Sequence, residues 1–383
     1  MVHYKPRYRY LFLAALLLSF HYALTVYINS SFLSGYFSEQ TINGLYMVGS
    51  IITLFALAIS SRVLKRYGNY TLVLVGIIAE AVALTTLAFS SNPSTIMLAF
   101  IAHQAIPPLL LFGMDIFFEG TLAVARDAEK VRAYYLTFIN IAFVAAPLIV
   151  AALVSDNSFR VIYILSAVLV SILWFVVADV FRSLTPERYR EVGFGDSVRK
   201  FVKRKYLSGI FFINFMLQCF FAIMVIFTGP YLHTTIGLSW EAIGVIFTIM
   251  LVPFVLFNAP LGKAFDKYHN ERDILIVGFL IMSIVLIVIS RTTSSNPAVW
   301  ALLLFLSRVG ASFVETAAEA AFFKRMTNQD AGFISIFRMG TPLSYVIAPL
   351  VASVLLGFVP VSTMYLLLAI GLIPGIFIAY KTL

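Results

Sequence analysis

The chain has 383 residues, 61% of them apolar, a mean hydropathy of +0.95 and only 12% charged side chains. A water-soluble fold of that composition lacks the polar surface to cover itself, because globular domains carry about 25% charged residues. A single cysteine, Cys219, excludes an internal disulfide and a cysteine-built metal cage, and the net charge of +9 is gathered in alternate connections rather than spread as a nucleic-acid surface.

Twelve apolar runs are predicted as membrane-spanning helices, each near the ~20 residues that a bilayer core requires. They cover 9–30, 42–61, 70–90, 95–120, 132–154, 159–181, 206–232, 240–261, 273–290, 297–323, 332–356 and 361–380. None alternates apolar and polar residues, which excludes the strands of a transmembrane barrel. The first run follows Lys5, Arg7 and Arg9, as a secretory leader would. Its apolar stretch is long and no small-x-small cleavage site follows, so it is read as a retained helix.

With the N-terminus inside, nearly all of the 27 lysines and arginines fall in inside connections, and only Arg160 and Arg291 fall outside. This asymmetry is the positive-inside pattern. It predicts a multi-pass protein of the cell membrane with both termini cytoplasmic, and it explains the basic charge without nucleic acid. The longest connection, 182–205, is basic and carries Thr185-Pro186 and Gly193-Phe194-Gly195. It divides the chain into a six-helix bundle at 1–181 and a second at 206–383. It is either a solvated cytoplasmic linker or a surface segment lying on anionic lipid.

The two halves repeat. Arg66-Tyr67-Gly68-Asn69 aligns with Lys267-Tyr268-His269-Asn270, Val75-Gly76 with Val277-Gly278, and Ala146-Pro147-Leu148 with Ala348-Pro349-Leu350, at a constant offset of 201 or 202 residues. Duplicated six-helix units of this kind build many secondary transporters.

Pro260-Leu261-Gly262-Lys263-Ala264-Phe265-Asp266-Lys267-Tyr268 resembles the Gly-x-x-x-Asp-(Arg/Lys)-x-Gly signature of the major facilitator superfamily, between helices eight and nine. His269 replaces the last glycine. In the first-half counterpart, Ser61 to Gly68, Ser61 replaces the first glycine and Lys65 the aspartate. The resemblance implies an all-α protein of two pseudo-symmetric six-helix bundles, with helices one, four, seven and ten lining a central cavity. It also implies a cytoplasmic gate built from Arg62, Lys65, Arg66, Asp266 and Lys267. Because Lys65 stands where the loop carboxylate belongs, Glu119 becomes the candidate acidic partner of that gate.

Asp115 and Glu119 lie four residues apart in one run, and Glu315 and Glu319 lie four apart in another, about 200 residues later. On helices each pair shares a face. A charge at the centre of a membrane helix costs roughly 2.5–3.5 kcal/mol on an insertion scale, so such residues usually mark a transport path or pair with one another. Arg308 and Arg338 are the basic residues in the nearby spans, with Arg338 expected to pair with Glu315 or Glu319. Acids outnumber these bases, which favours protonation of some of them. The four acids are therefore the candidate proton-coupling residues, with structural ion pairing as the competing account.

Candidate solute-binding residues are His21, Asn29, His103, Gln104, Asn214 and Gln218, which the family layout turns toward the cavity. Hydrogen bonding between helices is their alternative role. Glu80 falls mid-span in a helix that the family places at the periphery, where a neutral, hydrogen-bonded glutamic acid is expected. Prolines 107, 108, 147, 253, 342, 349 and 374 bend several spans.

No P-loop, His-Glu-x-x-His or Gly-x-Ser-x-Gly occurs. The expectation is therefore a monomeric, cofactor-free secondary transporter that is not an enzyme, moving a small solute by alternating access with protons as the coupling ion. A passive facilitator with purely structural charges, or a sensor that keeps the carrier fold without transporting, are the competing readings.

Overall fold

The computed structural model describes the chain except for residues 1–4, 27, 123–127, 154–158, 185–192, 269–270, 327–329 and 383. Its helices are α1 (Lys5–Val26), α2 (Asn29–Ser34), α3 (Glu39–Phe89), α4 (Pro93–Leu122), α5 (Ala128–Leu153), α6 (Arg160–Val180), α7 (Phe194–Lys203), α8 (Lys205–Pro230), α9 (Trp240–Tyr268), α10 (Glu271–Arg291), α11 (Pro297–Phe323), α12 (Ala331–Arg338), α13 (Gly340–Leu355) and α14 (Val361–Thr382). Among the described residues no strand occurs, and ten helical stretches are long and apolar enough to cross a membrane.

One of those ten is two passes. At 1.5 Å per residue, α3 would be about 75 Å long if straight, far more than the ~30 Å core of a bilayer. It folds back at Gly68, whose φ of 77° and ψ of 162° suit a residue without a side chain. Splitting α3 there, and adding α5 with its apolar stretch Tyr134–Val150, gives the twelve passes read from the sequence.

Two expected helices are subdivided. The first ends at Val26, and the short α2 follows it. The eleventh breaks between α12 and α13 at Met339. Pro342 has no N–H to give the carbonyl of Arg338, and its ring crowds that carbonyl, so the helix is interrupted there. Leu343 resumes the ladder by bonding back to the Met339 carbonyl at 3.0 Å.

The repeat extends to the caps. Ser-Ser-Asn-Pro stands at 90–93 and again at 294–297. In the first copy Asn92 Oδ1 accepts from Ser94 N at 2.9 Å and Asn92 N donates to Ser90 Oγ at 3.2 Å. In the second, Asn296 Oδ1 accepts from Ala298 N at 2.9 Å and Asn296 N donates to Ser294 Oγ at 3.2 Å. Each asparagine caps orphan N–H groups, and each proline occupies the first helical turn, where no N–H is missed.

Packing repeats likewise. In the first half α1 lies against α5 and α6, and α3 against α4 and α6; in the second, α8 lies against α13 and α14, α10 against α11 and α14, and α9 against α11. The halves meet where α5 packs on α9 and α3 on α13, pairs that exchange under the repeat. Backbones come close where α10 meets α11: a Cβ on Gly278 would fall 2.7 Å from the Gly310 carbonyl, and one on Gly310 would fall 2.6 Å from that of Gly278. Phe55, Val75, Leu98, Phe175 and Phe377 stay exposed on the perimeter, which suits lipid rather than water.

One end of the bundle is basic, with Arg62, Lys65, Arg66, Arg204, Lys324 and Arg325 exposed there. The cores interlock across the halves. Leu57, Leu64, Phe112 and Ile116 join the core of the second half, while Ala222, Ile223, Phe227 and Tyr345 join that of the first. The described part of the long connection includes a 3-10 turn at Phe181–Leu184 and the helix α7. Helix α7 buries Ser197 and Phe201, with Phe201 packed on Phe333 at 5.8 Å between ring centres.

Gly68→Ala is expected to cost about 1–3 kcal/mol, the usual price of a side chain in that backbone region, and to lower the melting temperature of the detergent-solubilised protein. Gly44→Ala, where an added Cβ meets nothing within 4 Å, is the control and should leave the melt unchanged or raise it. Equal melts for both variants would refute the Gly68 account.

Candidate functional site

The four acids lie on two helices, Asp115 and Glu119 on α4 and Glu315 and Glu319 on α11, and Arg338 ends α12. The break at Pro342 leaves Arg338 at a helix end directed between the halves. Its Nε donates to Asp115 Oδ2 at 2.6 Å, Nη1 to Glu319 Oε1 at 2.6 Å, and Nη2 to Glu319 Oε2 at 3.2 Å. One guanidinium therefore holds a carboxylate from each half. Only the planar fork of arginine can serve two carboxylates in this way; the ammonium of lysine is a point charge. The side chains of Arg338, Asp115 and Glu319 are 15%, 1% and 8% exposed, so the bridge is largely desolvated. The rings of Phe323 and Phe337 flank the guanidinium at 5.3 and 5.6 Å.

The sequence offered Glu315 or Glu319 as partners of Arg338. The structure pairs it with Glu319 and adds Asp115, which lies 223 residues away. Glu315 is half-buried one turn from Glu319, and Glu119 is buried one turn from Asp115. Arg308, two turns from Glu315 on α11, is 1% exposed and lies over the Phe220 ring at 4.7 Å and the Phe221 ring at 5.5 Å. One side of α11 thus runs from an aromatic-clad arginine to the bridged glutamate.

A second polar group lies inside the first half. His21, Asn29 and His103 are 0–2% exposed and gather around Glu80, which is 0% exposed. His103 Nδ1 lies 2.6 Å from Glu80 Oε1, and His21 Nε2 lies 3.4 Å from the same oxygen. Tyr163 of α6 donates to Asn29 Oδ1 at 2.8 Å, and Ser166 donates to the His21 carbonyl at 2.6 Å. The sequence flagged Glu80 as a mid-span acid expected to be neutral and hydrogen-bonded, and named His21, Asn29 and His103 without linking them to it. The contributions of Tyr163 and Ser166 had no signal, because both sit in an otherwise apolar helix.

The amides separate. Gln218 Nε2 donates to Asn214 Oδ1 at 3.4 Å along α8, and Asn214 abuts Gly340 of α13. Gln104 of α4 packs on Gly49 of α3. Of the expected gate, Arg62, Lys65 and Arg66 are exposed at the basic end, with Arg66 5.2 Å from the Tyr67 ring. The side chains of Asp266 and Lys267 lie outside the described residues. A residue the sequence did not single out ties this turn to the site: buried Asn69 donates to the Gly113 carbonyl at 2.8 Å, two residues from Asp115. Among the described residues no cluster of histidine, cysteine or acid is placed to hold a metal.

The sequence pattern of the Major Facilitator Superfamily matches residues 11–242 and again 210–383. No curated protein matches in sequence. Among solved structures the chain is similar to the nucleoside transporter NupG, at TM-score 0.73 and 13% identity over 98% of both chains. A NupG variant aligns at TM-score 0.74 and 13% identity, over 98% of this chain and 99% of that one. A variant of the E. coli fucose:proton symporter FucP aligns at TM-score 0.75 and 13% identity over 99% of both chains. At this identity the likeness concerns the fold.

Arg338→Gln is expected to destabilise the protein by about 3–5 kcal/mol, because it takes the guanidinium away from two buried carboxylates. The double variant Asp115→Asn/Arg338→Gln should lose clearly less than the sum of its single variants, measured by thermal unfolding in detergent. Additive losses would show that the bridge does not couple the halves.

Proposed function

Since the chain belongs to the Major Facilitator Superfamily, we propose that it is a secondary transporter that moves a small solute by alternating access and couples that movement to protons. The observation that carries this reading is the Arg338 guanidinium held between Asp115 of one half and Glu319 of the other. The positive-inside pattern makes the basic end the cytoplasmic one, so this bridge closes the cytoplasmic side of the bundle.

Opening that side separates Asp115 from Arg338, while Glu319, which packs in the same half as Arg338, keeps its two hydrogen bonds. Parting a buried carboxylate from this guanidinium is costly, and taking a proton relieves the cost. Asp115 is therefore ionised while bridged and neutral while parted. Because each state needs the other proton count, gate movement and proton movement are linked. Glu315 and Glu119, each one turn from a bridged acid, are the further proton-coupling positions.

The solute site in this reading draws on the amides at Gln104, Asn214 and Gln218, with His21, Asn29 and His103 supporting it from the first half. Arg308, clad by Phe220 and Phe221, sits beside it. Two solved structures of similar fold, by their names, move nucleosides and fucose with a proton, which is in keeping with a small solute here.

Proteoliposomes with an imposed pH gradient test the proposal with a panel of sugars, nucleosides, organic acids, peptides and cationic compounds. The expected result is gradient-driven accumulation of a solute that moves protons with it. Asp115→Asn and Glu315→Gln should each abolish gradient-driven accumulation while solute exchange persists. Solute flux without proton movement would mean a facilitator, and unchanged gradient-driven flux in both variants would sink the coupling role of these acids.

A further inference from the structure

The polar group around Glu80 is not used by the cytoplasmic bridge. His103 lies twelve residues before Asp115 on α4, about 18 Å along the helix axis. Glu80, His21 and His103 come from α3, α1 and α4 and are 0–1% exposed. Both imidazoles face the same oxygen, Glu80 Oε1, at 2.6 Å from His103 and 3.4 Å from His21. His103 Nε2 then lies 3.2 Å from Thr25 Oγ1 and 3.4 Å from Asn29 Nδ2.

Two buried polar atoms in this cluster, Glu80 Oε2 and His21 Nδ1, have no hydrogen-bond partner among the described residues. Buried groups normally find partners, and each failure costs about 1–3 kcal/mol. A cluster that served only to lock helices would satisfy them. The charge count gives a reason for the vacancy of donors. One ionised carboxylate with two neutral imidazoles leaves a lone negative charge in the interior. One added proton makes the cluster neutral, either as a carboxylic acid or as a carboxylate beside an imidazolium, and the attraction then offsets the desolvation. A metal is a poor occupant, since both imidazoles converge on one carboxylate oxygen and no metal-holding group occurs among the described residues.

The groups around the cluster are otherwise uncharged. From α6 come Tyr163 and Ser166, and from the first arm of α3 comes Tyr46, whose hydroxyl lies 3.1 Å from Ser30 Oγ. From α4 the Phe100 ring stands edge-on to His103, and α5 offers α1 the rings of Phe138 and Phe143. Arg160, on α6, is exposed and bonded to Ser91.

We infer that Glu80, His21 and His103 form a proton-binding site inside the first half, separate from the acids of the cytoplasmic bridge and holding one exchangeable proton. The site has a built-in reader. With Nδ1 donating to Glu80, neutral His103 presents a lone pair at Nε2, which accepts from the Asn29 amide. A proton on Nε2 sets a donor against that amide N–H. The amide must then turn, and it takes Oδ1 away from the Tyr163 hydroxyl. Ser30, next to Asn29, holds Tyr46, and the Tyr46 ring stacks 6.3 Å from Tyr345 of the second half. The proton thus bears on the contact between halves at the end opposite the bridge. Its part in a transport cycle rests on the carrier reading above; its existence as a proton site does not.

The test uses the full chain in lipid nanodiscs with ¹⁵N-labelled histidine, followed by NMR across about pH 5 to 8, the range in which histidine changes charge. His21→Asn and His103→Asn assign the ring signals. The expected result is an imidazole from this pair that gains and loses a proton in the range, with that imidazolium lost in Glu80→Gln. Gln keeps an acceptor for His103 Nδ1. Thr25→Val, which removes only a hydroxyl, is the second variant and should shift the His103 Nε2 signal. Imidazoles that keep one form throughout in the unaltered protein, or titrate identically in Glu80→Gln, would overturn the inference. A titrating pair in a protein that moves no solute would sustain this site and sink the carrier reading. Proton-driven transport with a silent pair would do the reverse.

Discussion

A single guanidinium, taken out of water and shared between two carboxylates, joins the halves of this molecule. Arg338 comes from α12, Glu319 from α11 and Asp115 from α4, so the hydrogen bonds to Glu319 stay within one half while the bond to Asp115 crosses to the other. The desolvation of three charged groups makes such a bridge an all-or-none contact. Its net worth over an apolar replacement is small, yet removing one partner is severe. That combination suits the breaking and reforming that the proposed carrier cycle asks of it, and the neighbouring residues hold it in place. Pro342 breaks the helix where Arg338 sits, Asn69 pins the turn beside Asp115, and Phe323 and Phe337 wall the cation.

The polar interior is layered. Toward the basic end lies the acid-rich bridge, and about 18 Å along α4 from Asp115 lies the Glu80 cluster, within one half. Arg308 lies under its phenylalanines, Gln104 follows His103 of the cluster, and Asn214 abuts Gly340 near the bridge. Each layer places unlike charges, or a charge and an imidazole, where apolar helices leave no water to absorb an error. Acids in this chain are few, so each buried one has a bearing on how the molecule works.

Much of this was legible from residue order. Apolar runs, the placement of Lys and Arg, and the offset of 201 or 202 residues between matching segments define twelve passes in two repeated sets, because those signals arise from bilayer thickness, membrane electrostatics and duplication. Proline at 342 announced a bend. What residue order did not show was partnership. Asp115 and Arg338 are 223 residues apart, and only the seam between halves brings them together. Glu80 read as an isolated buried acid because its imidazole partners sit on two other helices, one of them nearly 60 residues upstream. The duplicated Ser-Ser-Asn-Pro caps were visible as letters, but their meaning needed the hydrogen bonds.

The touching backbones at Gly278 and Gly310 have a mechanical consequence. Where two helices meet without a layer of side chains between them, no lubricating surface remains on which one could slide along the other. Helices α10 and α11 therefore behave as one beam, and Glu315 and Glu319 ride on a rigid girder. The softer joint is the proline-relieved elbow between α12 and α13, and Arg338, tied to Glu319 by two hydrogen bonds, stands on the girder's side of it.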